Sequence, residues 1–304
     1  MDGSFLKMVN TQAILFLYLV VGFYCRKTGI FDDSTRDKLT DFTIRIVLPC
    51  MIFESFHMPF SLAALKRGAA ALIIATVMAA VALLLGKFLY NGFDQREKCI
   101  LQYGTLVTNS GFAGLPIVSG AYGDEGLFLG SLFIIPTRIL MWSAGISLFS
   151  TGGSAAERAK KVLLNPAIIA VEVGLVRMIF QIPLPAFLDT ALDNMGACTS
   201  PLAMALVGAI LADVELKGVF EPKAFYLVAV RQLLLPALCL AGLKLLGTDP
   251  LTTGVSVALT GMPVGSTTAI LAQKYGADAQ FASKCVFIST LTSLVTVPVL
   301  TLFL

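Results

Sequence analysis

The stretch Thr105 to Pro116, TLVTNSGFAGLP, decides how this chain is read. It sets an Asn, a Ser, two Thr, two Gly and a Pro inside a segment otherwise apolar enough to cross a bilayer. Hydrocarbon cannot hydrogen-bond the backbone groups that such a break releases, so the stretch is tolerable only where it lines a cavity or is buried in protein. A second disturbed stretch, LTGMPVGSTT from Leu259 to Thr268, lies in the other half of the chain. Interruptions in corresponding spans point to a transporter's binding site.

The frame around these stretches is that of a membrane protein. Of 304 residues, 57% are hydrophobic and 13% charged, with a mean hydropathy of +0.84, against about 25% charge in soluble domains. Windows such as Gly68 to Gly86, GAAALIIATVMAAVALLLG, carry no charge and can cross roughly 30 Å of hydrocarbon as a helix. Strand-like alternation is absent, which favours helices over a barrel. The start, MDGSFLKMVN, has neither a charged n-region nor a small-residue cleavage site, so the first span reads as retained. Six cysteines stand singly, without zinc or redox spacing, and read as small apolar fillers. The net charge of +3 says little, because placement of Lys and Arg matters more than their sum. No cofactor, metal or nucleic-acid partner is expected.

The apolar windows give ten spans, near 8–25, 38–56, 68–90, 98–121, 126–149, 163–183, 188–212, 223–246, 250–273 and 281–303. The polar linker STGGSAAERAKK, Ser150 to Lys161, divides five from five. The expected organisation is a first repeat over 1–150, a linker over 151–161 and a second repeat over 162–304. Pro49 echoes Pro201, and AYGDEG (Ala121 to Gly126) echoes KYGADA (Lys274 to Ala279). An odd number of spans per half turns the second half upside down relative to the first. Thirteen Lys and Arg fall in loops on one side and four on the other. The positive-inside rule therefore predicts a multi-pass plasma-membrane protein with both termini outside and the linker in the cytoplasm.

Four segments, VTNSGFAGLPIVSGAYG, LLNPAIIAVEVGL, GFYCRKTGIFDDSTRDKLTDFTIRIVLPCMIF and MPVGSTTAILAQKYGADAQFAS, together resemble the auxin efflux carrier family over nearly the whole chain. That family includes plant PIN exporters and bacterial members linked to export of malate, malonate and similar organic anions; the bile acid:sodium symporters are similar in architecture. The resemblance implies an all-α membrane protein of ten transmembrane helices in a 5+5 inverted repeat, with helices 4 and 9 broken and crossing at the site. PIN members carry a Pro in each broken helix. Here Pro263 supplies the second, and Thr108 stands in place of the first. The short linker fits a bacterial-type member.

A broken helix exposes free N–H groups at the start of its second half, where the dipole favours an anion. Thr108, Asn109, Ser110, Gly111 and Pro116 make one candidate arm; Gly261, Pro263, Gly265, Ser266 and Thr267 make the other. A single Gly or Pro interruption would more often serve packing; two at repeat-related positions favour a site. Ionisable residues inside spans are costly, and here they are Arg45, Glu54, Arg138, Glu172, Arg177, Arg231 and Lys284. Arg45, Arg177 and Glu54 lie toward span ends, where snorkelling accounts for them. Arg231 either attracts the substrate anion or pairs with Glu172, itself the candidate coupling carboxylate. Asp193 and Asn194 either face a cavity or cation, or cap a helix start.

The function expected from these residues is secondary active or facilitative transport, in the efflux direction, of a small organic anion by alternating access. A proton or sodium ion is the candidate coupling ion and a homodimer the candidate assembly. A sodium-coupled symporter and a transporter-like sensor keep the same fold. An enzyme lacks its parts: His57 is the only histidine, and HExxH, GxSxG and GxGD patterns are missing. No GxxxxGK[ST] motif supports ATP-driven pumping.

Overall fold

The computed structural model describes residues 3–142, 144–149, 163–213 and 220–303; the linker at 151–161 lies outside them. The described residues form an all-helical fold: α1 Gly3–Lys27, α2 Asp33–Phe42, α3 Leu48–Glu54, α4 Leu62–Leu89, α5 Gln95–Leu106, α6 Leu115–Trp142, α7 Ala144–Phe149, α8 Pro166–Phe180, α9 Ala186–Ala197, α10 Thr199–Ala212, α11 Pro222–Val228, α12 Leu235–Leu245, α13 Pro250–Thr260, α14 Thr267–Lys274 and α15 Ala279–Thr301. Among the described residues, five helical segments are long and apolar enough to cross a membrane: Val9–Lys27, Leu62–Leu89, Ala186–Ala212, Pro222–Leu245 and Ala279–Thr301.

Short polar residues start many of these helices. Asp32, Ser61, Asp94, Asn165, Asp249 and Asp278 each accept a hydrogen bond from a first-turn N–H, satisfying donors the helix itself cannot. At exposed Asp32, the hydrogen bonds from Thr35 hold the carboxyl below its usual range.

Prolines shape the interior. π-helical turns join α2 to α3 (Thr43–Val47), open α6 (Ser110–Gly114) and join α11 to α12 (Ala229–Leu234). Each is followed two residues later by proline: Pro49, Pro116 and Pro236. Proline has no N–H and crowds the carbonyl four residues back. The turn before it widens, so the N–H groups of Leu48, Leu115 and Leu235 reach five residues back, to Thr43, Ser110 and Val230. The two echoed turns also agree locally: Gly123 and Gly276 adopt φ of 65° and 71°, a conformation glycine takes without strain. Gly123 thereby interrupts α6.

Two groups of helices pack mainly within themselves, α1 to α3 with α8 to α10 and α4 to α7 with α11 to α15. In the first, α1 and α10 approach closely because both lack side chains at the contact. A Cβ on Gly22 would run into the Ala205 backbone, and one on Gly208 into the Leu19 backbone. Gly22→Val is therefore expected to cost about 1–3 kcal/mol or more, read as a lower melting temperature in detergent; an unchanged value would show that α1 can shift without loss. The groups meet where α1 packs on α6 and α15 and where α10 packs on the Ser110–Gly114 turn, and Phe56 and Phe128 pack edge to face between them, ring centroids 5.2 Å apart.

Candidate functional site

The two disturbed stretches of the sequence meet. α5 ends at Leu106, residues 107–109 run extended or irregular, and the chain turns helical again at Ser110; α13 ends at Thr260 and α14 begins at Thr267. Thr108 and Val264 form an isolated antiparallel bridge. The Asn109 N–H donates to the Pro263 carbonyl at 2.8 Å, and the Gly265 N–H donates to the Val107 carbonyl at 3.0 Å. Each segment thus satisfies backbone groups that the other leaves open, the requirement for irregular backbone inside a membrane protein. The Val264 N–H donates to the Ser289 hydroxyl at 3.1 Å, and Gln232, fully buried, donates to the Ser289 carbonyl at 2.6 Å.

This pairing corrects part of the sequence reading. The backbone N–H groups of Asn109 and Gly265 are consumed in holding the two segments together, so Gly265, expected among the ligand donors, has no free N–H to offer. The open N–H groups are those of Ser110, Gly111 and Phe112, which find no acceptor among the described residues. Thr108 and Ser110 share a short hydroxyl–hydroxyl contact. Asn109 is buried at 7% exposure, and no hydrogen bond joins its carboxamide to another described residue. Pro116 widens the turn that presents these groups, and buried Gly261 caps α13. Ser266 is half-buried, and the Thr267 hydroxyl lies 3.2 Å from that of Tyr103.

Arg138 of α6 is the residue the sequence reading undervalued. Its guanidinium packs on the backbone of Gly111, where a Cβ would collide with it. It is half-buried, and no carboxylate of the described residues pairs with it. The only signal in the sequence was an arginine in the interior of a span. Arg231 lies in the π-helical turn before α12, 3% exposed, with its Nε unpartnered. It lines a cavity of about 20 Å³ together with Leu106, Thr108, Thr137, Leu259 and Thr260.

Glu172 does not meet Arg231. It is exposed on α8, on the face shared with Ile169, Val176 and Ile179, because the 3.6-residue period turns it away from the packed side of that helix. Asp193 and Asn194 are not caps either, since α9 starts at Ala186. Asp193 faces a cavity of about 580 Å³ between the two helix groups, lined also by Glu54, His57, Ser119, Asp124 and Asp189; Asn194 is exposed beside it.

Arg177 and Glu54 do not snorkel. Arg177 is 5% exposed, donates to Glu54 at 3.0 Å and to Asp189 by a short contact, and lies 5.0 Å over the Phe53 ring. His57 Nδ1 is 3.2 Å from Asp189 and 3.6 Å from Glu54. These three are the one group among the described residues that could ligate a metal, but Arg177 already holds an oxygen of each carboxylate. Arg45, by contrast, is exposed beside Asp41, and Lys284 pairs with Glu221 at 3.4 Å.

Over 300 residues, 96% of its length, the chain is 26% identical to an uncharacterized transporter of Methanothermobacter thermautotrophicus, of which it covers 97%. It is also 26% identical over 307 residues to an uncharacterized transporter of Methanocaldococcus jannaschii, covering 95% of this chain and 96% of the relative. The family model described as membrane transport protein matches residues 8–160 and 154–301. With both halves matched and an all-helical fold of several apolar spans, the chain belongs to the membrane transport protein family, that of the auxin efflux carriers.

Proposed function

We propose that the protein is a secondary active or facilitative carrier of a small organic anion, working by alternating access around the Thr108–Val264 crossing. The observation that carries the reading is Arg138, a cation with no carboxylate partner among the described residues, set against the open N–H groups of Ser110 to Phe112. A guanidinium at the positive end of a helix is electrostatically unfavourable alone and favourable once an anion lies between them. The Asn109 carboxamide supplies further polar contact. Two helix groups that pack mainly within themselves support a rigid displacement of one against the other. The agreement of Gly123 with Gly276, and the paired interruptions, support a 5+5 inverted repeat of ten spans with crossing broken helices. On the orientation favoured by the cationic loops, the cavity beside Asp193 opens outside.

The test is counterflow in proteoliposomes, with a panel of labelled mono- and dicarboxylates. The carrier reading expects saturable exchange of at least one of them, and loss of that exchange in Asn109→Ala with folding intact. Binding of an anion without counterflow would instead indicate a sensor.

A further inference from the structure

The small cavity beside Arg231 lies at the ends of two helices. Leu106 is the last residue of α5, Leu259 and Thr260 are the last of α13, and Thr108 follows α5 on the extended stretch. A helix C-terminus carries about half a negative charge in its open carbonyls. Two that converge on one space present about one full negative charge. Arg231 faces them with one full positive charge, is 3% exposed, pairs with no carboxylate of the described residues and keeps its Nε unpartnered. The remaining space, about 20 Å³, holds roughly one water molecule. A bare cation in a membrane interior is costly, and the two dipole ends are the compensating charge that the fold supplies.

The same place would attract a small cation from solution if it were empty. We infer that Arg231 is a tethered counter-charge that fills the position a coupling metal cation would otherwise occupy, so that the crossing is complete without sodium. Arg231 is on this account a positioning residue: it holds the two helix ends together, while the anion meets Arg138 and the N–H groups of Ser110 to Phe112. The inference rests on the crossing being the transport site, but its electrostatic core can be tested without any substrate.

The experiment compares thermal stability of wild type, Arg231→Lys and Arg231→Gln in detergent. Sodium, lithium or potassium chloride is titrated against choline chloride at constant ionic strength. Wild type and R231K, which keep the charge, should show no cation-specific stabilisation. R231Q should melt lower in choline and recover by about 5 °C or more, saturably, with at least one of the small cations. Stabilisation of wild type by sodium overturns the inference, as does cation-specific stabilisation of R231K. A folded R231Q that none of the three ions stabilises also overturns it. If R231Q does not fold, wild type and R231K alone decide. Counterflow then separates this inference from the carrier reading: no anion flux in wild type defeats the carrier reading, while the cation titrations still decide the role of Arg231.

Discussion

Replacing Arg138 with Gln is expected to abolish anion binding and transport while leaving the protein as stable as before. Removing one partner of a buried charge pair costs about 2–5 kcal/mol, so affinity for the transported anion should fall by about 30-fold or more. The unliganded protein loses nothing comparable, because the Arg138 guanidinium has no carboxylate among the described residues. The measurement is a pair of melting curves with and without the anion. In wild type the ligand raises the melting temperature by mass action; in R138Q that rise should vanish and the ligand-free curve should stay in place. A retained ligand response would remove Arg138 from the site, and a large loss of ligand-free stability would make it a structural residue.

Arg177 is expected to behave in the opposite way. It stands between Glu54 and Asp189 with its side chain 6% exposed, and those carboxylates are 12% and 27% exposed. Arg177→Ala leaves two acidic groups in partly buried surroundings with only His57 beside them, and it also removes the guanidinium from the Phe53 face. Breaking a buried pair from one side typically costs about 3–5 kcal/mol. The melting temperature should fall clearly, with or without ligand. Replacing all three polar partners together, as Arg177→Met with Glu54→Gln and Asp189→Asn, should cost much less, since no uncompensated charge is left. Equal losses in the single and triple variants would show that packing on Phe53, and not charge, is what Arg177 contributes.

These two arginines mark how far the sequence could be read. Both are single cations inside apolar spans, and position along the span suggested that Arg177 would snorkel and that Arg138 was one ionisable residue among several. The structure reverses their ranks. Arg177 pairs with Glu54, 123 residues away in the chain, and helical periodicity gives the face on which a residue lies but not what comes to meet it. Glu172 shows the same limit: it was the most central acid of its segment, yet the packed face of α8 excludes it.

The features legible in the order of residues are local and strong. Composition fixed a helical membrane protein, because only helices satisfy their own backbone in hydrocarbon without closing a barrel. The Gly, Asn and Pro of Thr105 to Pro116 and the Gly and Pro of Leu259 to Thr268 marked where helices must stop, and Pro49, Pro116 and Pro236 lie where the widened turns fall. Which of the released groups stay open follows from how the two segments meet in space. The N–H groups of Asn109 and Gly265 are spent on carbonyls of the opposite segment, while those of Ser110 to Phe112 remain beside Arg138. A hydrogen bond or ion pair between distant segments depends on angles and distances of a few ångströms, which the order of residues does not encode locally.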